Sequence, residues 1–171
     1  MEALECILSR HSVKSYLPTE VKQEDLDVIL RAGLAAPSGR NAQAAILLCV
    51  TDKALRDRLS ALNAAVMGAQ SDPFYGAPCV VVVLADKNVF TGVYDGSVVM
   101  ENLLLAAHAR GLGACWIHRA KEVFASKEGK AILRDCGITG DYEGIGNCVI
   151  GYPAAAPAAK PVRDGRLYFA K

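Results

Sequence analysis

Residues 95–124 read DGSVVMENLLLAAHARGLGACWIHRAKEVF, and the organisation of the whole chain follows from how this stretch divides. From Asp95 to Ala109 apolar side chains fall on nearly every face of a helix, with Asp95 or Ser97 available as an N-cap. A helix of that kind is buried all round, either in a domain core or in a subunit interface. GLGACWI (111–117) then reads as a short buried strand, and EVFASKEGKAILRDCG (122–137) as a further helix.

Working outward, three more apolar runs have strand length: AAILLCVT (44–51), CVVVVLA (79–85) and IGNCVIGY (145–152). Between the first two lies DKALRDRLSALNAAV (52–66), amphipathic on the spacing Leu55, Leu59, Leu62, Val66, and then a polar loop with Asp72, Pro73 and Gly76. At the N-terminal side, residues 2–10 predict a short helix with Leu4, Ile7 and Leu8 at helical spacing, followed by RHSVKSY as an irregular or extended segment. Pro18 and Thr19 lead into a helix over about 24–36, ended by Pro37 and Gly39. The tail from Pro153 opens with Pro/Ala linker composition and closes on a short edge strand, Leu167 to Ala170. Residues 1–171 are expected to form a single domain, with 154–171 as linker and arm. Strands interleaved with helices predict a layered α/β arrangement, whose strand order the sequence does not give.

A chain of 171 residues with 52% apolar and 22% charged side chains predicts a packed fold; that length buries about 70% of the unfolded surface. A net charge of +1 argues against a general nucleic-acid role. MEALECILSRH has no cationic-then-apolar signal pattern, and no apolar run approaches the roughly 20 residues of a membrane helix, so a soluble cytoplasmic protein is expected. Most of the six cysteines (Cys6, Cys49, Cys79, Cys115, Cys136 and Cys148) lie in apolar runs and none forms a CxxC, which predicts core thiols and no metal site. His108, inside an apolar stretch, reads as structural.

Phosphate loops, nucleophile elbows and HExxH are absent, and Gly111-Leu112-Gly113 precedes a strand instead of following one, so a Rossmann site is not expected. Two basic clusters remain. An extended RHSVKS places Arg10, Ser12 and Lys14 on one side, offering a planar fork, a hydroxyl and an ammonium to a phosphate or a flat polar ligand. Lys160, Arg163 and Arg166 follow the proline-stiffened linker. Either cluster alone also reads as ordinary solvated charge. The loop Pro37-Ser38-Gly39-Arg40-Asn41-Ala42-Gln43 carries hydroxyl and amide groups suited to a heterocycle, or serves only as a helix-ending turn.

RHSVKSY, PSGRNAQ, GAPCVVVVLAD, DGSVVMENLLLAAHARGLGACWIHRAKEVF and GIGNCVIGY, in that order over nearly the whole chain, resemble the nitroreductase family of FMN enzymes, in particular its short members. The resemblance implies an α+β fold: a central mixed, mostly antiparallel sheet flanked by helices, in an intertwined homodimer with an exchanged C-terminal arm and FMN at the interface. Carried over by position, Arg10, His11, Ser12 and Lys14 contact the phosphate, ribityl chain and pyrimidine edge. Pro37, Ser38, Gly39 and Asn41 come from the opposite subunit. Trp116, Ile117, His118 and Arg119 line the ring, with a backbone N–H near flavin N5, and Lys160 and Arg163 reach the phosphate. His11, Lys14 and Tyr16 stand where the family's opening pattern has Arg, Arg and Phe, and Asn63 is the candidate for an amide at the ring edge.

The implied activity is ping-pong electron transfer from NADH or NADPH to a small organic acceptor such as a nitroaromatic or quinone, with the chemistry at flavin N5 and no catalytic side chain. Phe74, Tyr75, Tyr94 and Trp116 are candidates for the acceptor pocket or for packing. Rival readings are a specialised branch of the same fold (reductive dehalogenation or flavin destruction) and a non-catalytic flavin-binding or storage protein.

Overall fold

The run Cys79-Val-Val-Val-Val-Leu-Ala-Asp86 (β2) is the centre of the molecule, because its alternate residues feed two different cores. The computed structural model describes residues 1–155 and 161–170. Val80, Val82 and Leu84 enter one apolar cluster, and Cys79, Val81, Val83 and Ala85 enter the other. A strand apolar on both faces needs cover on both. Here Leu59, Phe124, Ile132 and Leu133 cover the first face. Leu26, Ile29, Val99, Met100, Leu103 and Leu104 cover the second. Burying one such valine is worth about 1.5–3 kcal/mol.

In chain order the elements are α1 (Ala3–Ser9), α2 (Gln23–Leu34), a 3-10 turn (Gly39–Asn41), β1 (Ala45–Val50), α3 (Lys53–Met67), β2, α4 (Gly92–Ala109), β3 (Gly113–Ile117), α5 (Ala120–Ala125), α6 (Lys127–Asp135) and β4 (Tyr142–Gly151). The sheet order is β1-β2-β4-β3 with every ladder antiparallel. The parallel component is one isolated bridge, Ser12 to Ala114, beside the bond from Val13 N to Ala114 O at 3.0 Å. The fold is thus α+β with helices on both faces of a mostly antiparallel sheet, as the resemblance implies.

Several boundaries differ from the sequence reading. The helix read over 122–137 is two helices, because Ser126 leaves helical geometry at φ −68°, ψ 160°. Its hydroxyl donates to the Val123 carbonyl at 2.6 Å, ending α5, and accepts from Gly129 N at 3.0 Å, capping α6. α4 begins at Gly92, so Asp95 lies inside its first turn and is no N-cap. Residues 161–170 form no strand, and Leu167, Tyr168 and Phe169 stand exposed, with no strand partner among the described residues. Cys6, Cys79, Cys115 and Cys148 are buried as expected, but Cys49 is half-buried on the edge strand β1 and Cys136 is exposed after α6. Burial pushes the Cys148 thiol pKa up, which keeps it protonated and inert.

No helix among the described residues is long and apolar enough to cross a membrane.

Candidate functional site

Strand β3 and the segment after α1 are drawn together by the Ser12–Ala114 bridge near the start of the strand, and a cleft of about 380 Å³ opens between that segment and the C-terminal end of β3. Ser12 and Lys14 line it from one side, and Trp116, Ile117, His118 and Arg119 from the other. Val13 lies between the first two and is buried, so the extended alternation holds here. Trp116 is 37% exposed. Its indole lies against Gly146 of the neighbouring strand, where any Cβ would collide with Nε1.

Arg10 and His11 do not line this cleft. Arg10 is still the C-cap of α1, so the alternation begins only after it. Its Nε is 3.4 Å from Glu101 Oε1 of α4 and, though buried, makes no hydrogen bond among the described residues. His11 bonds the Ser9 carbonyl at 2.8 Å and meets His108 edge-on, with ring centroids 5.7 Å apart. His108 in turn bonds Ser9 Oγ at 2.8 Å, joining α1 to α4, which agrees with its structural reading. Burial, together with the neighbouring His11 and Arg10, holds the His108 pKa below its usual value.

The far wall of the cleft is the loop after α3, with Asp72, Pro73 and Tyr75. Asp72 organises it. Its carboxylate accepts from Arg56 at 2.7 Å, from Phe74 N at 2.9 Å and from Gly76 N at 2.8 Å, and also from the Ser60 hydroxyl. Burial by itself would raise the Asp72 pKa, but these donors outweigh it and hold the group at about 2. Of the four aromatic candidates, Tyr75 and Trp116 line the cleft and Tyr75 sits 6.0 Å from Lys14 Nζ. Phe74 is a core residue stacked 5.5 Å from the Arg56 guanidinium carbon, and Tyr94 lies exposed on α4.

Pro37 and Ser38 line a separate pocket of about 130 Å³ with Asp95 and Gln43, and it shares no residue with the first. Asp95 anchors this loop: its carboxylate accepts from Gly39 N at 3.0 Å and from the Thr91 hydroxyl at 2.9 Å. Gly39 lies so close that a Cβ would meet Thr91 Oγ1 at 2.5 Å. Asn41 is exposed on the same loop. Arg163 is exposed in the tail, and Lys160 lies outside the described residues.

Asn63 is not available at the ring edge. It is fully buried, and its amide is engaged by the His118 carbonyl and the Arg119 Nε. A further feature had no signal in the sequence. Among the described residues, the non-glycine ones with left-handed backbone are Arg40, Asn41, Gln43, Tyr75 and Arg119. All five lie on the 37–43 loop or at the cleft. Such conformations cost of order 1 kcal/mol or more each and gather where a ligand must be met.

The family model described as the Nitroreductase family matches residues 7–152. A protein of Archaeoglobus fulgidus named for NADH dehydrogenase/NAD(P)H nitroreductase is 31% identical over 89% of this chain and 86% of its own. The structure of a nitroreductase with bound FMN from Bacteroides fragilis superposes with TM-score 0.91 at 25% identity, covering 100% of both chains. An FMN-dependent nitroreductase of Clostridium difficile gives 0.82 at 26% identity, covering 98% of this chain and 99% of the other. The two solved structures share the fold described above over nearly their whole length. The chain belongs to the Nitroreductase family.

Proposed function

We propose that this chain is an FMN-dependent oxidoreductase that passes electrons from NADH or NADPH to a small organic acceptor such as a nitroaromatic or quinone. The carrying observation is the cleft at the end of β3, where a hydroxyl, an ammonium, an indole and a strained turn converge. Its residues fit a phosphorylated heterocycle. Outside the cleft lining, against Glu101 of α4, the buried Arg10 Nε makes no hydrogen bond among the described residues and so has a charged donor to offer a phosphate. Arg10, His11, Ser12 and Lys14 would hold the phosphate, ribityl chain and pyrimidine edge, with Lys160 and Arg163 as further phosphate ligands. Trp116, Ile117, His118 and Arg119 would line the ring. When bound, FMN supplies the centre that accepts hydride from the nicotinamide and hands two electrons to the acceptor.

The second pocket has its place in a homodimer. Pro37, Ser38, Gly39 and Asn41 share no pocket with the β3 cleft, and each would complete the cleft of the other subunit. Unpartnered apolar side chains favour that assembly: Leu4 and Leu8 on α1, Tyr94 on α4 and Phe169 on the arm are each more than 70% exposed. Association would remove these side chains from water. Residues 1–171 then act as one unit, with residues 154–171 as the arm.

Adding NADH or NADPH without air should bleach the yellow holoprotein, and a nitroaromatic or quinone should restore the colour. A holoprotein that neither nicotinamide bleaches would be a flavin carrier and no oxidoreductase.

A further inference from the structure

Two asparagines hold the turn that follows β3. Asn63 of α3 is 0% exposed and Asn147 of β4 is 2% exposed. Burying an amide is costly unless its hydrogen bonds are made, so each needs a reason to be there. Asn63 Nδ2 donates to the His118 carbonyl at 2.8 Å, and its Oδ1 accepts from Arg119 Nε at 3.1 Å. Asn147 Nδ2 donates to the Ile117 carbonyl over a longer 3.4 Å. Two successive carbonyls are thus drawn toward buried amides. In a trans peptide the N–H points opposite its C=O, and the described chain has no cis peptide. The N–H groups of His118 and Arg119 therefore face away from the asparagines. Neither has a hydrogen-bond partner among the described residues, although backbone donors seldom go unpaired unless water or a ligand takes them. Both residues line the cleft. Arg119 stands at φ 76°, a conformation that a non-glycine residue keeps only where its surroundings over-determine it.

We infer that Asn63, supported by Asn147, is a positioning residue that fixes the His118–Arg119 turn so that one of these N–H groups is presented to flavin N5. This rests on the proposed cofactor and goes beyond it by naming what sets the donor. Helix α3 and strand β4 grip the turn from two sides, so the donor is set by the body of the fold and not by the turn's own sequence.

A flavin analogue separates this role from simple support. Oxidised FMN accepts a hydrogen bond at N5, whereas 5-deaza-FMN has a C–H there and accepts none. Apo-protein is titrated with each by fluorescence, with circular dichroism as the folding control. The native protein should bind FMN roughly fivefold to tenfold more tightly than the analogue, the size of one net hydrogen bond. In Asn63→Asp, which keeps an acceptor for Arg119 but has no donor for the His118 carbonyl, that ratio should fall to within about twofold, with both flavins still bound through their phosphate. Asn147→Ser is the milder variant, to be read if Asn63→Asp does not fold, and it should lower the ratio in the same direction. Residues that only stabilise the fold would weaken both flavins alike. An unchanged ratio in the folded variants, or a native ratio near one, overturns the inference. A native protein that binds neither flavin overturns the cofactor reading itself.

Discussion

Replacing Arg10 by alanine should weaken FMN binding on the order of a hundredfold or more while the fold survives. A guanidinium can make two charge-assisted bonds to a phosphate, each contributing about 1.5–3 kcal/mol, and 1.4 kcal/mol is about tenfold in affinity. The structure adds a reason why this arginine is available. Its Nε is buried without a hydrogen bond, and its Glu101 partner is 48% exposed at 3.4 Å. With the carboxylate this exposed and the contact this long, the pair is worth about 1 kcal/mol or less, which a phosphate can outcompete. Arg10→Lys should recover only part of the loss, because a point charge does not reproduce the planar fork. Titration of each apo-variant with FMN, with circular dichroism as control, gives the answer. Unchanged affinity in folded Arg10→Ala would move the phosphate to Lys160 and Arg163.

Asp72→Ala should lower the unfolding free energy by about 3 kcal/mol and loosen the Tyr75 wall of the cleft. The change strips Arg56, itself only 7% exposed, of its 2.7 Å partner and frees Ser60, Phe74 N and Gly76 N. The same carboxylate gives a pH dependence whose sign is fixed. Its folded pKa of about 2 lies below the usual value of 3.8, so its stabilisation is present above pH 4 and is lost as pH falls from about 4 toward 2. Because the group is partly solvated, that contribution is about 1 kcal/mol after screening. Urea midpoints at pH 6 and pH 3 measure both effects. Asp72→Ala should lose less between the two pH values than the native protein, and equal losses would remove Asp72 from the account.

The strands were legible because each is an apolar run bounded by turn formers, and CVVVVLA announces a strand buried on both faces. Their order was not, since pairing β2 with β4 joins residues far apart in sequence through contacts no local pattern encodes. Ser12 and Lys14 followed from strand alternation. Arg10 broke the pattern because it still caps α1. Phe74 and Tyr75 looked equivalent as neighbouring aromatics, yet Phe74 is 1% exposed and Tyr75 38%. The loop's left-handed step at Tyr75 and its Asp72 bonds decide which enters the core. Asn63 was a candidate for the ring-edge amide only through the family resemblance; the packing of α3 against the turn after β3 shows its amide already committed.

The central claim is that FMN is the cofactor, and the pigment itself tests it most directly. Protein released from its chromophore by heat, with the supernatant identified by mass spectrometry, should yield FMN. Finding FAD, or no flavin even after reconstitution of the apo-protein with FMN, would contradict it.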